Sequence, residues 1–120
     1  VTSFSSSVLL NQNGSLVLEA LPYEAQMSPI FAFEVSDFDN DKITDFYAGG
    51  NFYRLKPEIG RHDGFHGGYF KGLGKGKFKY VSDVYSGIQT KGEVRDAIKI
   101  DNKLIISRNN ESVLIFKLKQ

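Results

Sequence analysis

Apolar residues along this chain come in short runs separated by polar and turn-forming residues. Val8-Leu9-Leu10 stops at Asn11-Gln12-Asn13-Gly14, and Leu16-Val17-Leu18 resumes before ending near Leu21-Pro22. Asn-Gly between two apolar runs predicts a hairpin, because both residues tolerate the positive φ of a tight turn. Ile30-Phe31-Ala32-Phe33-Glu34-Val35 leads into an acidic stretch, after which Phe46-Tyr47-Ala48 runs into Gly49-Gly50. Phe78-Lys79-Tyr80-Val81, residues 94–100, Leu104-Ile105-Ile106 and residues 113–118 complete the series. Runs this short, rich in Val, Ile, Phe and Tyr and bounded by Gly, Asn and Asp, predict strands. No window sustains a 3.6-residue period over the roughly ten to twelve residues a helix needs. The pattern predicts an all-β chain of eight or nine strands. Residues 54–76, rich in Gly, Arg, His and Lys around the pair Tyr69-Phe70, interrupt it.

The runs also repeat. Gly14-Ser15-Leu16 aligns with Gly76-Lys77-Phe78, and Ala32-Phe33-Glu34-Val35 with Ala97-Ile98-Lys99-Ile100. Phe46-Tyr47-Ala48-Gly49-Gly50-Asn51 aligns with Leu104-Ile105-Ile106-Ser107-Arg108-Asn109. In the second copy the short turn Asp101-Asn102-Lys103 replaces the acidic stretch. A repeat holding four strands is the sequence sign of a β-propeller blade. The expected architecture is two four-stranded propeller-type blades, residues 1–60 with the acidic loop at 37–45 and residues 61–120 without it. Two blades cannot close a ring of about four to eight. The chain is therefore expected to pack on further blades of a longer chain, to self-associate, or to collapse as a sandwich.

The acidic stretch carries the candidate chemistry. Asp37, Asp39, Asp41 and Asp45 stand in Asp37-Phe38-Asp39-Asn40-Asp41-Lys42-Ile43-Thr44-Asp45. Carboxylates at alternate positions repel one another unless a cation holds them. The spacing follows the first part of a calcium loop, in which alternate side chains and one backbone carbonyl, here that of Ile43, converge on an ion. No Glu closes the loop, since Ala48 stands where a helical EF-hand would have one. The alternative is an Asx-rich turn whose side chains cap backbone amides. Both are structural roles rather than catalytic ones.

Composition narrows the function classes. The 120 residues carry 41% hydrophobic residues and a net charge of +1, which suits a globular domain without a strong pull toward nucleic acid or membrane. The halves differ, with three Lys/Arg against eight Asp/Glu in residues 1–60 and twelve against six in 61–120. Cysteine is absent, which removes disulfides and thiol chemistry. No apolar run approaches the roughly 20 residues of a membrane span. The chain begins at Val1 without a basic leader and reads as a mature fragment or a piece of a longer protein. His62 and His66, with Asp63, have i, i+4 spacing that aligns metal ligands only on a helix, which the surrounding glycines oppose. The segment 52–70 is instead a loop able to contact a partner, with Tyr53, Arg54, Arg61, His62, Asp63 and His66 as candidate contacts. Period-two alternation puts Phe78 and Tyr80 on one face of a strand and Lys77 and Lys79 on the other, an ordinary half-buried strand rather than a nucleic-acid platform. Arg95 and Asp96 are expected as a structural pair, with Glu93 sharing the charge of Arg95.

The run Asp-Phe-Asp-Asn-Asp-x-x-x-Asp after an apolar strand, followed by Gly-Gly-Asn, resembles the FG-GAP/VCBS repeats of secreted and cell-surface β-propellers, to which integrin α-chain repeats are related. Residues 57–61 and 92–96 look like the closing blades of bacterial VCBS-repeat proteins. The resemblance implies calcium (Ca2+) held by Asp37, Asp39, Asp41, the Ile43 carbonyl and Asp45. It further implies a non-catalytic module of an extracellular, periplasmic or cell-surface protein that binds protein or glycan partners through its loops. A propeller portion of a carbohydrate-active enzyme and a purely structural repeat are the alternatives. One departure stands out, since Lys42 occupies the sixth loop position, where the family usually has Gly. A side chain at positive φ there costs roughly 1 kcal/mol. The ion is expected to bind with an affinity of roughly 10⁻⁴–10⁻³ M, or Lys42 itself to neutralise the carboxylates.

Overall fold

A computed structural model describes residues 3–51 and 65–119, which form nine strands in three antiparallel sheets. Strands β1 (Ser7–Gln12) and β2 (Ser15–Ala20) make a hairpin closed by Asn13 and Gly14 at φ of 53° and 89°. Strands β3 (Ile30–Ser36), β4 (Asp45–Gly50), β5 (Gly68–Gly74) and β6 (Lys77–Val81) form a four-stranded sheet in chain order. Strands β7 (Val94–Ile100), β8 (Lys103–Arg108) and β9 (Glu111–Lys117) form a three-stranded sheet. Helical structure among the described residues is one 3₁₀ turn, Tyr23–Gln26, and the single-turn α1, Asp83–Ser86, which Gly87 ends at φ 73°. No helix here is long and apolar enough to cross a membrane.

The sheets stack in chain order, with the four-stranded sheet in the middle. Period-two alternation gives that sheet two apolar faces. One carries Ala32, Tyr47 and Tyr69 and packs on Ala97, Leu104 and Ile106 of the three-stranded sheet. The other carries Phe46, Ala48 and Phe70, which cluster with Leu21 and Ala25 from the segment after β2. Phe46 and Phe70 stack with centroids 4.5 Å apart and planes 7° from parallel. All six residues of β4 are buried, as expected of a strand covered on both faces.

The all-β expectation matches, but the strand grouping is two, four and three rather than two sets of four. The expected 60/61 division between blades falls inside the four-stranded sheet, because that sheet runs from Ile30 to Val81. Tyr69-Phe70 is the heart of β5 rather than part of a loop. The repeat is also offset. Ala32 pairs with Gly49 while Ala97 pairs with Ile106, so the second strands correspond one residue away from the sequence alignment. A one-residue slip exchanges the two faces of a strand, and it puts Tyr47 and Leu104, both fully buried, in equivalent places.

Candidate metal centre

The acidic loop is the connection from β3 to β4. Its backbone turns through positive φ at Asn40 (63°) and at Lys42 (68°), so the sixth position takes the conformation that the resemblance implies, with a lysine where that family usually has glycine. Alternate carboxylates cap the turn from inside. Asp39 Oδ1 accepts from the Asp41 N–H at 3.2 Å, Asp41 Oδ1 from the Ile43 N–H at 2.8 Å, and Asp37 Oδ2 from the Lys42 N–H at 2.9 Å. These are the Asx contacts of the alternative reading, and they coexist with convergence. One carboxylate oxygen from each of Asp37, Asp39 and Asp45 lies within 4.8 Å of the others.

The four aspartates are not equivalent. Asp45 is fully buried and satisfied, since its Oδ2 accepts from the Phe38 N–H and the Tyr69 hydroxyl, both at 2.9 Å, and its Oδ1 from the Gly72 N–H at 2.7 Å. Asp37 differs, with a buried Oδ1 that has no hydrogen-bond partner. Asp41 turns outward to Lys71, whose Nζ donates to it at 2.7 Å and also bonds Asp39. That ammonium, ahead of the Ile43 N–H, holds the Asp41 carboxyl below the usual carboxylate range. The bonds to Asp39 and then Asp41 raise Lys71 in turn. Tyr69 is pushed well above the ordinary phenol range, first by burial and then by the Asp45 carboxylate that its hydroxyl meets.

The lysine that compensates the loop is therefore Lys71 on β5, whereas Lys42 contributes its backbone N–H. Ile43 enters through its N–H to Asp41. Sequence reasoning passed over Tyr69 and Lys71 because β5 was not recognised as a strand. Their period-two spacing was the available signal, since it sets both on one face. Pairing of Tyr47 with Tyr69 then points Lys71 at the start of β4, where Asp45 stands. Gly72 completes the wall, because a Cβ there would run into the Thr44 carbonyl oxygen.

Of the six candidate contact residues, Tyr53, Arg54, Arg61, His62 and Asp63 lie outside the described residues. His66 is exposed at the rim of a cleft of about 250 Å³ beside Phe65, Tyr80 and Asp83. Burial first, then the charges of Asp83 and Glu24, raises the Tyr80 hydroxyl above its ordinary value. The expected Arg95–Asp96 pair does not form. Arg95 pairs with Glu93 at 3.2 Å and lies 4.8 Å over the Phe31 ring, while Asp96 caps the Ala97 N–H. The register shift between Val94 and Asp96 interrupts the regular alternation at Arg95, and Glu93 lies just before β7.

No protein-family model, curated protein or solved structure matches the chain.

Proposed function

We propose that this chain is a non-catalytic β-module of propeller-blade type whose β3–β4 turn is clamped by calcium. The observation that carries the proposal is the buried, unpartnered Oδ1 of Asp37 beside the Asp39 and Asp45 carboxylates. A buried carboxylate oxygen without a donor is costly unless a cation takes the donor's place. The residues present fit such a group. All three side chains offer hard oxygen ligands, which favour calcium or magnesium over softer metals. Oxygens at about 2.3–2.6 Å from one calcium ion lie within about 5 Å of one another, in keeping with the 4.8 Å cluster. Lys71 brings one positive charge to four carboxylates, so a divalent ion finds net negative charge remaining.

Bound there, the ion would tie the ends of β3 and β4 to the Asp45 network that already reaches β5. Its chemistry is charge neutralisation and cross-linking, with no reacting substrate. Blade character is supported by the four-stranded meander and by β7 of the following sheet lying against β3 and β4. The FG-GAP/VCBS resemblance of the loop points the same way. On this proposal the rigid sheets present loops to a protein or glycan partner outside the cytoplasm, where free calcium is high enough for a weak site.

Thermal melting with and without calcium tests it. At about 10 mM calcium, a site of roughly 10⁻⁴–10⁻³ M raises the midpoint by roughly 5–15 °C. Asp37→Asn is expected to abolish the rise. A midpoint indifferent to millimolar calcium, or a rise that survives Asp37→Asn, sinks the proposal.

A further inference from the structure

Strand β1 pairs with β2 along one edge, and among the described residues nothing pairs with its other edge. That free edge borders a cleft of about 550 Å³, walled by Val8 and Leu9 on one side and by Phe33, Val35, Phe46 and Ala48 on the other. Leu9, Phe33 and Val35 are 58%, 66% and 53% exposed, so exposed apolar side chains stand on both walls of the cleft.

We propose that this cleft receives a partner polypeptide in the form of an apolar two-stranded β-segment, whose first strand adds to the free edge of β1. Three observations converge on that occupant. First, an open strand edge offers a row of N–H and C=O groups that an extended chain satisfies by strand addition. Second, the cleft continues an interface that already exists. The hairpin is held over the outer part of the middle sheet, where Lys77 pairs with Glu19 and Leu10 abuts Gly76. The same apolar face then runs on, uncovered, to Phe33 and Val35 of β3. Third, the molecule shows what covers the opposite face of those strands. There β7 lies against β3 and β4, with Ala97 of β7 and Leu104 and Ile106 of its neighbour β8 packed into the shared core. The hairpin has two strands where the sheet beside it has four. A pair of the β7–β8 kind beside β1 would make the first layer four-stranded and bury Phe33 and Val35. The occupant is thus a peptide backbone with apolar residues at alternate positions. The cleft wall reaches Thr44 and Asp45 at the start of β4, but the proposed contacts at Val8, Leu9, Phe33 and Val35 include no cation ligand. The peptide test is therefore run in calcium-free buffer and succeeds or fails separately from the calcium test.

The probe is a labelled synthetic peptide with the sequence of residues 94–108, the chain's own β7–β8 hairpin. It is titrated into the whole chain and followed by fluorescence anisotropy and by backbone NMR shifts. One peptide per chain is expected, with shifts concentrated on Val8, Leu9 and Phe33. Phe33→Ser, at a side chain already mostly exposed, is expected to leave the melting midpoint in place and weaken binding at least about tenfold. A scrambled peptide that binds as well, affinity indifferent to Phe33→Ser, or no binding at all overturns the inference. So does concentration-dependent dimerisation of the chain that Phe33→Ser abolishes, because the occupant would then be a second copy.

Discussion

At the scale of single residues, the acidic loop separates a carboxylate that holds the fold from one that decorates it. Asp45 is fully buried and accepts three hydrogen bonds, two of them from the backbone N–H groups of Phe38 and Gly72. Truncating it leaves three buried donors unsatisfied, at about 1–3 kcal/mol each when nothing replaces the acceptor. Asp41 meets Lys71 and the Ile43 N–H in a far more exposed setting, where solvent screens the ion pair and leaves it little net value. Asp45→Ala is therefore expected to cost about 3 kcal/mol or more, and Asp41→Ala far less. Urea denaturation in calcium-free buffer gives both values, and equal losses would show that Asp45 is not the anchor. Asp45→Asn should resemble Asp45→Ala, because an amide nitrogen turned toward any of the three donors replaces an acceptor with a fourth donor. The spacing of the aspartates and the turn it implies were visible in the sequence, and the positive φ at Lys42 followed from the loop's family resemblance. The division of labour among them was not, because it is set by Tyr69, Lys71 and Gly72, which reach the loop from a strand far along the chain.

At the scale of elements, buried tyrosines on the paired strands β4 and β5 set how the molecule responds to alkaline pH. Tyr47 sits in the middle of this doubly covered strand with its hydroxyl donating to Thr90 Oγ1 at 3.0 Å. Burial pushes the phenol up to about 12, against smaller opposing effects from the Thr90 bond and the Arg108 charge. A group whose folded value is raised leaves stability untouched below its ordinary value and erodes it as pH climbs through the folded one. Stability should thus be level up to about pH 10 and fall by about 2–3 kcal/mol toward pH 12 from Tyr47, with Tyr69 acting in the same direction. Urea midpoints measured across that range check this, and Tyr47→Phe should flatten part of the decline. A decline just as steep in the variant would assign it to other groups. The elements themselves were unevenly legible. β1 and β2 announced themselves by an Asn-Gly turn between apolar runs, and β3 and β4 by density of aromatic and β-branched residues. β5 did not, because Gly68-Tyr69-Phe70-Lys71-Gly72 carries its glycines for close approach to Tyr80 and Thr44 rather than for a turn. Missing that one strand put the expected 60/61 division inside the middle sheet.

At the scale of the whole molecule, the three layers are unequally anchored. The middle and three-stranded sheets share a core that includes Tyr47, Val94, Leu104 and Ile106, each almost wholly shielded from water. The hairpin contributes no buried residue from either of its strands. It is held by partly buried Val8, Leu10 and Val17, by the Glu19–Lys77 pair, and by Gln26, whose side-chain amide meets the backbone of Ser6 and Leu21. Most of those bonds lie in exposed positions, where each is worth little. A two-stranded ribbon is marginal without a face to pack on, and part of the face beside this one is the open cleft. The hairpin should therefore open as a unit well below the free energy of global unfolding. In native-state hydrogen exchange, the paired amides of β1 and β2 are expected to exchange together and early, while those of β4 and β8 exchange only with global unfolding. Equal protection in both regions would mean that the hairpin is integral to the cooperative core. A ligand that binds only the native molecule raises the free energy of every opening that releases it. The peptide that fills the cleft should therefore slow the hairpin amides as well as those of β4 and β8, whereas calcium proposed at the β3–β4 turn should slow β4 and β8 together and leave the early opening of the hairpin unchanged.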